Sequence, residues 1–313
     1  MILNLDNHGS ATACNLVELK NPNSLVWAHF DYSEEDSREC IQSNDMFSEL
    51  VTDFLLSEQT RPRATAVSDG LIVSLRGVNL NKGADPKDMV SVRVFINDSQ
   101  IITTARRNLK SVDDIQISLL QGEGPKNSSE FLADLSERLI QNMSETIDDL
   151  EDNLSDIEEN IIETTNKETR KLVSLIRRKS IILRRHLAPQ RDAIAHLYNE
   201  KIMWLGKEER LRIREVHDDL LRYVEALDGV RDRAVIIQEE LISNLSEILN
   251  NRMYVMTLMT VLFLPLGLLT GLFGINVGGM PGAESKNGFY VFVLLLLLLL
   301  AGIHFFLKKK KWY

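Results

Sequence analysis

MYVMTLMTVLFLPLGLLTGLFGI (Met253–Ile275) and FYVFVLLLLLLLAGIHFFL (Phe289–Leu307) decide the architecture of this chain. Each is longer than the roughly 18 apolar residues a bilayer-spanning helix requires. Neither contains Asp, Glu, Lys or Arg, and the connecting loop, residues 276–288, carries only Glu284 and Lys286. Arg252 stands directly before the first span and Lys308 to Lys311 directly after the second. The excess of bases at the outer ends predicts a hairpin with both termini in the cytoplasm and the loop outside.

The sequence before residue 253 has the composition of a water-facing body. The whole chain of 313 residues has 45 acids against 36 bases, a formal net charge of −9. An acidic surface argues against a nucleic-acid partner and suits the gathering of cations. Cys14 and Cys40 are too few for a disulfide framework or a zinc cluster and read as reduced thiols. No basic, apolar leader opens the sequence, so no cleaved signal peptide is expected.

Residues 1–126 predict a cytoplasmic α/β domain. Leu25 to Phe30, Leu71 to Leu75, Met89 to Ile96 and Gln100 to Thr104 are β-branched or aromatic enough for strands. Ser33 with Asp36, and Ser111 with Asp114, predict helix starts, and Gly122-Glu-Gly-Pro125 breaks the chain. Residues 127–206 predict a charged helical hairpin. Phe131, Leu135, Leu139, Met143, Ile147, Leu150, Leu154, Ile157 and Ile161 recur at helical steps in an acidic stretch. The basic stretch from Lys167 to Arg191 follows, with Leu172, Leu175, Ile176, Ile182 and Leu183 as its apolar steps. Helices of opposite charge are expected to fold back on each other. A third helix starts near Lys207, with residues 207–252 as a cytoplasmic stalk running into the membrane. A helix so long, about 100 Å at about 1.5 Å per residue, calls for neighbours.

Steps of four and three along that helix pick out Glu239, Ser243, Ser246, Asn250, Met253, Thr257, Thr260, Leu264, Gly267, Gly271 and Gly274. A 3.5-residue repeat is the seam of a supercoiled bundle. Such seams are ordinarily filled by Leu and Ile; this one is small and polar. A G-x-x-x-G pair such as Gly267 and Gly271 is commonly a close helix contact, and a threonine in a spanning helix commonly bonds its own backbone. The second span tips the balance towards a pore, because Leu294 to Leu300 is all leucine and offers an ion nothing. One polar helix and one greasy helix per copy predict an inner ring around water and an outer ring against lipid, so function requires a homo-oligomer. Gly274, Ile275 and Asn276 close the stripe with backbone carbonyls and an amide oxygen. Neutral oxygens of this kind hold a cation through its hydration water, and Asn276 is the expected contact. Tight inner-sphere zinc binding wants His, Cys or carboxylate, and none stands between Met253 and Ile275, so passage of a largely hydrated ion is expected there. Glu239, with Ser243 and Ser246, is the expected cation-attracting group on the cytoplasmic side.

The layout and the Gly274-Ile-Asn276 tripeptide resemble the CorA superfamily of divalent-cation transporters, whose signature at that place is G-M-N. Thr270-Gly-Leu-Phe-Gly-Ile-Asn-Val-Gly-Gly-Met-Pro-Gly282 is more similar to the ZntB zinc-transporter branch, as are Trp27 to Tyr32, Thr60 to Arg63, Met89 to Val94, Leu183 to Asp192 and Phe263 to Pro265. The resemblance covers nearly the whole length. It implies an α+β membrane protein forming a funnel-shaped homopentamer in the inner membrane, with 253–275 lining the pore, 289–307 outside it and 308–313 as a basic cytoplasmic tail. It implies zinc as the transported ion, by proton-coupled uptake, with no cofactor. Asn250 and Met253 then lie near a cytoplasmic gate, and Thr257, Thr260 and Leu264 between gate and outer mouth. The alternatives are a magnesium or broad divalent channel of the same build, and a membrane-anchored scaffold without transport. The six histidines are scattered; His29 reads as a packed or hydrogen-bonded strand residue and His304 as an interfacial one. No phosphate loop and no nucleophile–base set is present, so the chain is not expected to be an enzyme.

Overall fold

The computed structural model describes residues 1–15, 24–43, 47–58, 61–85, 87–160, 167–199, 202–274 and 285–309. They divide into two compact units, Met1–Glu239 and Glu240–Tyr313.

In the first unit seven strands form one mixed sheet. They are β1 (Ile2–Leu5), β2 (Ala11–Ala13), β3 (Leu25–Asp31), β4 (Arg63–Val67), β5 (Gly70–Gly77), β6 (Val90–Ile96) and β7 (Gln100–Ala105), in the order β2-β1-β3-β7-β6-β5-β4. Only β3 and β7 run parallel. The crossover between their positions contains α1 (Glu35–Gln42) and α2 (Glu49–Leu56). Ile41, Val51, Phe54 and Leu55 of these helices pack with Val26, Ala28, Phe30, Ile72, Phe95 and Ile102 on one face of the sheet. Period-two alternation sends Trp27 to the other face. There it is fully buried and meets Phe131 edge-on at 4.9 Å. The Trp27 indole donates to Thr103 Oγ1 (2.9 Å), and His29 Nδ1 lies 2.9 Å from the same oxygen. Gly77 is required where this face is closest: a Cβ there would stand 2.7 Å from Leu109 and 2.8 Å from Leu139.

The helices that follow are α3 (Lys110–Gln121), α4 (Ser128–Glu159), α5 (Lys167–Asn199) and α6 (Lys207–Gly274). Gly122 ends α3 in the left-handed region, φ 82°, with its N–H on the carbonyls of Leu119 and Ser118. Asn127 caps α4 by accepting from the Glu130 N–H, and the Glu130 carboxylate returns to the Lys126 N–H. The two serine-led starts do not form as expected. Residues Glu34 and Leu109 occupy the cap positions of α1 and α3. The Ser33 hydroxyl instead donates to Asp31, and Ser111 is buried, accepting from the Asn142 amide. Ile176 and Leu183 are buried as expected, but Leu172 and Leu175 are exposed and Val173 takes the inward place of the first turn of that stripe. Ile161 lies outside the described residues.

Asp134, Glu137 and Glu158 of α4 and Arg184 of α5 find their partners on α6. Arg212 forks onto Glu137 (2.8 and 2.6 Å) and also reaches Asp134; Arg233 binds Glu158 and the Ser155 hydroxyl. From α5, Arg184 meets Asp228 at 2.6 Å and Arg177 donates to Gln238 at 3.0 Å. These arms flank an apolar seam of Ile213, Val216, Leu220, Val224, Leu227, Val230, Ala234 and Ile237, all buried. The hydrogen bond from Arg233 holds Glu158 below its usual carboxylate range, and Glu137, then Asp134, push Arg212 upward.

Two outcomes follow for stability. Arg212→Gln should lower the free energy of unfolding by about 1–2 kcal/mol, through loss of charge-assisted hydrogen bonds and two carboxylates left half-buried. Arg233→Gln, whose pair is more exposed, should lose less; urea midpoints of the two variants give the order. Burial pushes His29 down from 6.5 to about 4, so it is neutral in the folded chain at pH 7. A depressed histidine favours the unfolded, protonated state as acid is added. Its contribution is full above pH 6.5 and is lost as the pH falls towards 4. A His29→Gln chain should show a shallower decline in stability across that window.

Candidate ion pathway

The second unit consists of the C-terminal part of α6 and of α7 (Gly288–Lys309). Both α6 and α7 contain stretches long and apolar enough to cross a membrane. Met256, Phe263, Leu268 and Leu272 on α6, and Phe289, Leu294, Leu297 and Leu298 on α7, are exposed. An apolar surface of this extent is not stable against water and needs lipid or other protein.

Between Met253 and Gly274 the half-buried residues of α6 fall on one side: Tyr254, Leu258, Leu262, Pro265, Leu266 and Leu269. On α7 the half-buried set is Phe292, Val293, Leu296, Leu299, Leu300 and Ile303. Phe273 and Phe292 touch, ring centroids 4.9 Å apart. These sets are the faces on which the hairpin closes. At about 100° per residue, the line through Met253, Thr257, Thr260, Leu264 and Gly271 is on the opposite side of α6 from Leu258, Leu262 and Leu269. Ser243, Ser246, Asn250, Met253, Thr257, Thr260, Leu264, Gly267, Gly271 and Gly274 are all exposed. The hairpin does not bury them on its own leucines. Gly267 lies at the border, since it also lines a groove of about 630 Å³ with Thr270 of α6 and Leu296, Leu297 and Leu300 of α7. Glu239 ends the first unit and is exposed there. Ile275 and Asn276 lie outside the described residues.

The hydroxyls of the stripe have a defined polarity. Thr257 donates to the Met253 carbonyl, Thr260 to that of Met256 and Ser246 to that of Ile242, each at 2.9 Å. With each proton committed to the helix, the oxygen presents lone pairs outward. A row of acceptors without formal charge suits water that surrounds a cation, and it has no basic side chain to repel one. Among the described residues no three His, Cys, Asp or Glu side chains stand together to hold a metal ion.

Gln190 was not singled out from sequence. It is fully buried on α5 and bonds both backbone groups of Arg76: the Arg76 N–H donates to Oε1 (2.7 Å), and Nε2 donates to the Arg76 carbonyl (3.0 Å). One side-chain amide thus continues the ladder of β5 where β4, which ends opposite Ser74 at Arg63, no longer reaches.

The glycines of the stripe give a direct test. A Cβ at Gly267, Gly271 or Gly274 would meet no atom within 4 Å in the single chain. Gly271→Leu should therefore leave the helical circular-dichroism signal unchanged while disturbing oligomer mass by light scattering, or ion flux. A variant normal in both would place this face against lipid.

Comparison with known proteins gives a consistent family. The model of the CorA-like Mg2+ transporter protein family matches residues 22–310. The zinc transport protein ZntB of Yersinia pseudotuberculosis serotype O:1b (strain IP 31758) is 36% identical over 308 residues, 98% of this chain and 94% of that protein. ZntB of Pectobacterium carotovorum subsp. carotovorum (strain PC1) is 37% identical over the same shares. Among solved structures, the full-length CmaX protein superposes with a TM-score of 0.84 at 33% identity, covering 99% of this chain and 96% of that one. The CorA magnesium transporter of Methanocaldococcus jannaschii shares the fold, with a TM-score of 0.84 at 15% identity over 100% and 99% of the two chains.

Proposed function

The chain belongs to the CorA-like Mg2+ transporter family, whose ZntB relatives named above are transporters and not enzymes, and from that premise we propose that it carries zinc across the bacterial inner membrane. Residues 253–275 and 289–307 are the spans, 276–288 the outer loop, and 1–252 with 308–313 the cytoplasmic parts. Copies of the chain, five in this reading, stand in a ring with α6 inward and α7 against lipid. The observation that carries the proposal is the small, acceptor-lined edge of α6, which its own hairpin leaves open on the side away from α7.

In such a ring Asn276, with the backbone of Gly274 and Ile275, receives the hydrated ion at the outer mouth. Thr257, Thr260 and Leu264 pass it inward, with Gly267 and Gly271 letting the helices approach. Asn250 and Met253 form the narrow cytoplasmic end, and Glu239, Ser243 and Ser246 attract the ion beyond it. The first span holds no Asp, Glu, His, Lys or Arg, so a proton that drives uptake moves with the water of the pore and not along a carboxylate relay. Zinc is preferred to magnesium because the relatives matched over nearly the full length are zinc transport proteins by name. Magnesium is the second reading, favoured by the description of the family as a whole.

Flux into proteoliposomes separates the two. Zinc uptake should exceed magnesium uptake and rise when the outside is made more acidic than the lumen. Asn276→Ala should lower it at least tenfold, since the amide is lost from every copy and one hydrogen bond of about 1.4 kcal/mol is already a factor of about ten, with the oligomer intact. Magnesium flux without zinc flux rejects the zinc reading, and no flux of either ion leaves a membrane-anchored scaffold.

A further inference from the structure

In the first unit a cavity of about 560 Å³ opens at the end of the sheet. Six cationic side chains line it: Arg76, Lys87, Arg93, Arg106, Arg107 and Arg185. Two carboxylates, Glu58 and Asp88, stand against them. Lys87 is already paired with Asp85 at 2.8 Å, and Glu58 lies 3.9 Å from Arg38, so the local neutralisation is partial. The chain as a whole is acidic, which makes a concentrated basic wall a local feature and not a reflection of composition.

Arg93 is the decisive residue. It sits on β6, paired with Ser74 on one side and Thr104 on the other, and it has no exposed surface. The Tyr32 ring covers its guanidinium at 4.4 Å. One nitrogen, Nη2, is held by the Ser57 carbonyl and by the Tyr32 hydroxyl at 3.4 Å. Among the described residues its Nε and Nη1 have no hydrogen-bond partner. A buried guanidinium with two nitrogens unmatched is costly unless an anion completes it. Around it the positive charges crowd one another: burial, then Arg93 and Arg185, depress Arg76. His186, which also lines the cavity, is pushed down to about 4 by burial and then by Arg76 and Arg185, so it adds no charge of its own at pH 7.

We infer that this cavity binds a small phosphate ester, its phosphate groups on the rim arginines Arg106 and Arg185 with the buried charge of Arg93 behind them. Planar guanidinium groups match the geometry of phosphate oxygens and remain charged at any physiological pH. The excess of cations over carboxylates calls for more than one negative charge on the ligand. The volume lies in the range of small-molecule sites and exceeds what one inorganic phosphate fills, while Met89, Val90 and Ile182 supply an apolar wall for the organic part.

The test is isothermal titration calorimetry on the purified full-length chain in detergent, freed of divalent ions by EDTA, at low salt, with pyrophosphate and with ADP as probes. Both should bind at one site per chain, ADP at least as tightly as pyrophosphate, and both more weakly as salt is raised. Arg185→Gln and Arg106→Gln, exposed at the rim and so compatible with folding, should each weaken binding about tenfold, the loss of one charge-assisted contact. Arg93→Lys should weaken it further, but the rim variants decide the matter if that chain fails to fold. No binding by the native chain, or rim variants that bind as tightly as the native chain, overturns the inference. So does the finding that the rim variants dissociate the oligomer while the native chain takes no anion, since the basic wall would then be a seat for a neighbouring copy's acids. Binding is read without reference to flux, so the result is separate from the transport proposal.

Discussion

The buried seam of α6 between Ile213 and Ile237 organises the first unit. Apolar side chains at steps of three and four give contact area but little direction, because one leucine fits a groove about as well as the next. The arginines and the aspartate beside them fix the register. Arg212 reaches Asp134 and Glu137 near the start of α4, Arg233 reaches Glu158 at its end, and Asp228 takes Arg184 from α5. A slip of one turn along α4 would break the first two pairs together and leave carboxylates half-buried without partners. Exposed pairs contribute little to stability; here their greater effect is to exclude alternative registers.

That division of labour explains what the sequence disclosed and what it withheld. The strands were legible because β-branched runs such as Val90 to Ile96 favour a pleated, half-buried surface, and the two spans because no soluble fold exposes such apolar length. The fold of the CorA-like family, with its α/β domain, long helix and two apolar C-terminal helices, was recognisable from motif and layout together. The partner of each charge was not. Opposite net charge on α4 and α5 pointed to a pair, yet α6 carries both signs on its flanks and serves both neighbours. Net charge of a segment is a sum, whereas an ion pair depends on which face a side chain occupies. The exposure of Leu172 and Leu175 has the same origin: Val173 and Leu172 both stand a helical step from the buried Ile176, and only the neighbouring helices select between them.

The candidate pathway was legible in another sense. Spacing alone placed Thr257, Thr260, Leu264 and Gly271 on one line, and a helix of regular geometry preserves that line whatever surrounds it. The hairpin adds where that line lies, on the far side of α6 from the face that meets α7. The hydroxyl geometry refines its chemistry. Threonines that back-bond to Met253 and Met256 no longer compete for water as donors, so a row of them presents one sign of partial charge. Such a row lowers the energy of a hydrated cation modestly at each step. Modest, repeated attraction is what passage requires, since a tight site would hold the ion in place.

Arg93 and Gln190 resisted sequence reading for a common reason: each takes its meaning from a strand register. An arginine in Val-Ser-Val-Arg-Val-Phe-Ile looks like a solvent-facing member of an alternating strand. Pairing β6 between β5 and β7 places it in a polar row with Ser74 and Thr104, next to the apolar row of Ile72, Phe95 and Ile102. Thr104 completes its own hydrogen bonding through the Leu55 carbonyl, and Gln190 supplies the backbone of Arg76 with the partners a longer β4 would have given. The Thr104 hydroxyl and the Arg76 backbone are thus matched within the fold, whereas two nitrogens of Arg93 have no hydrogen-bond partner among the described residues. A leucine or methionine at the same position would fill the space without that penalty, so a charge retained there is best explained by something outside the chain that it meets.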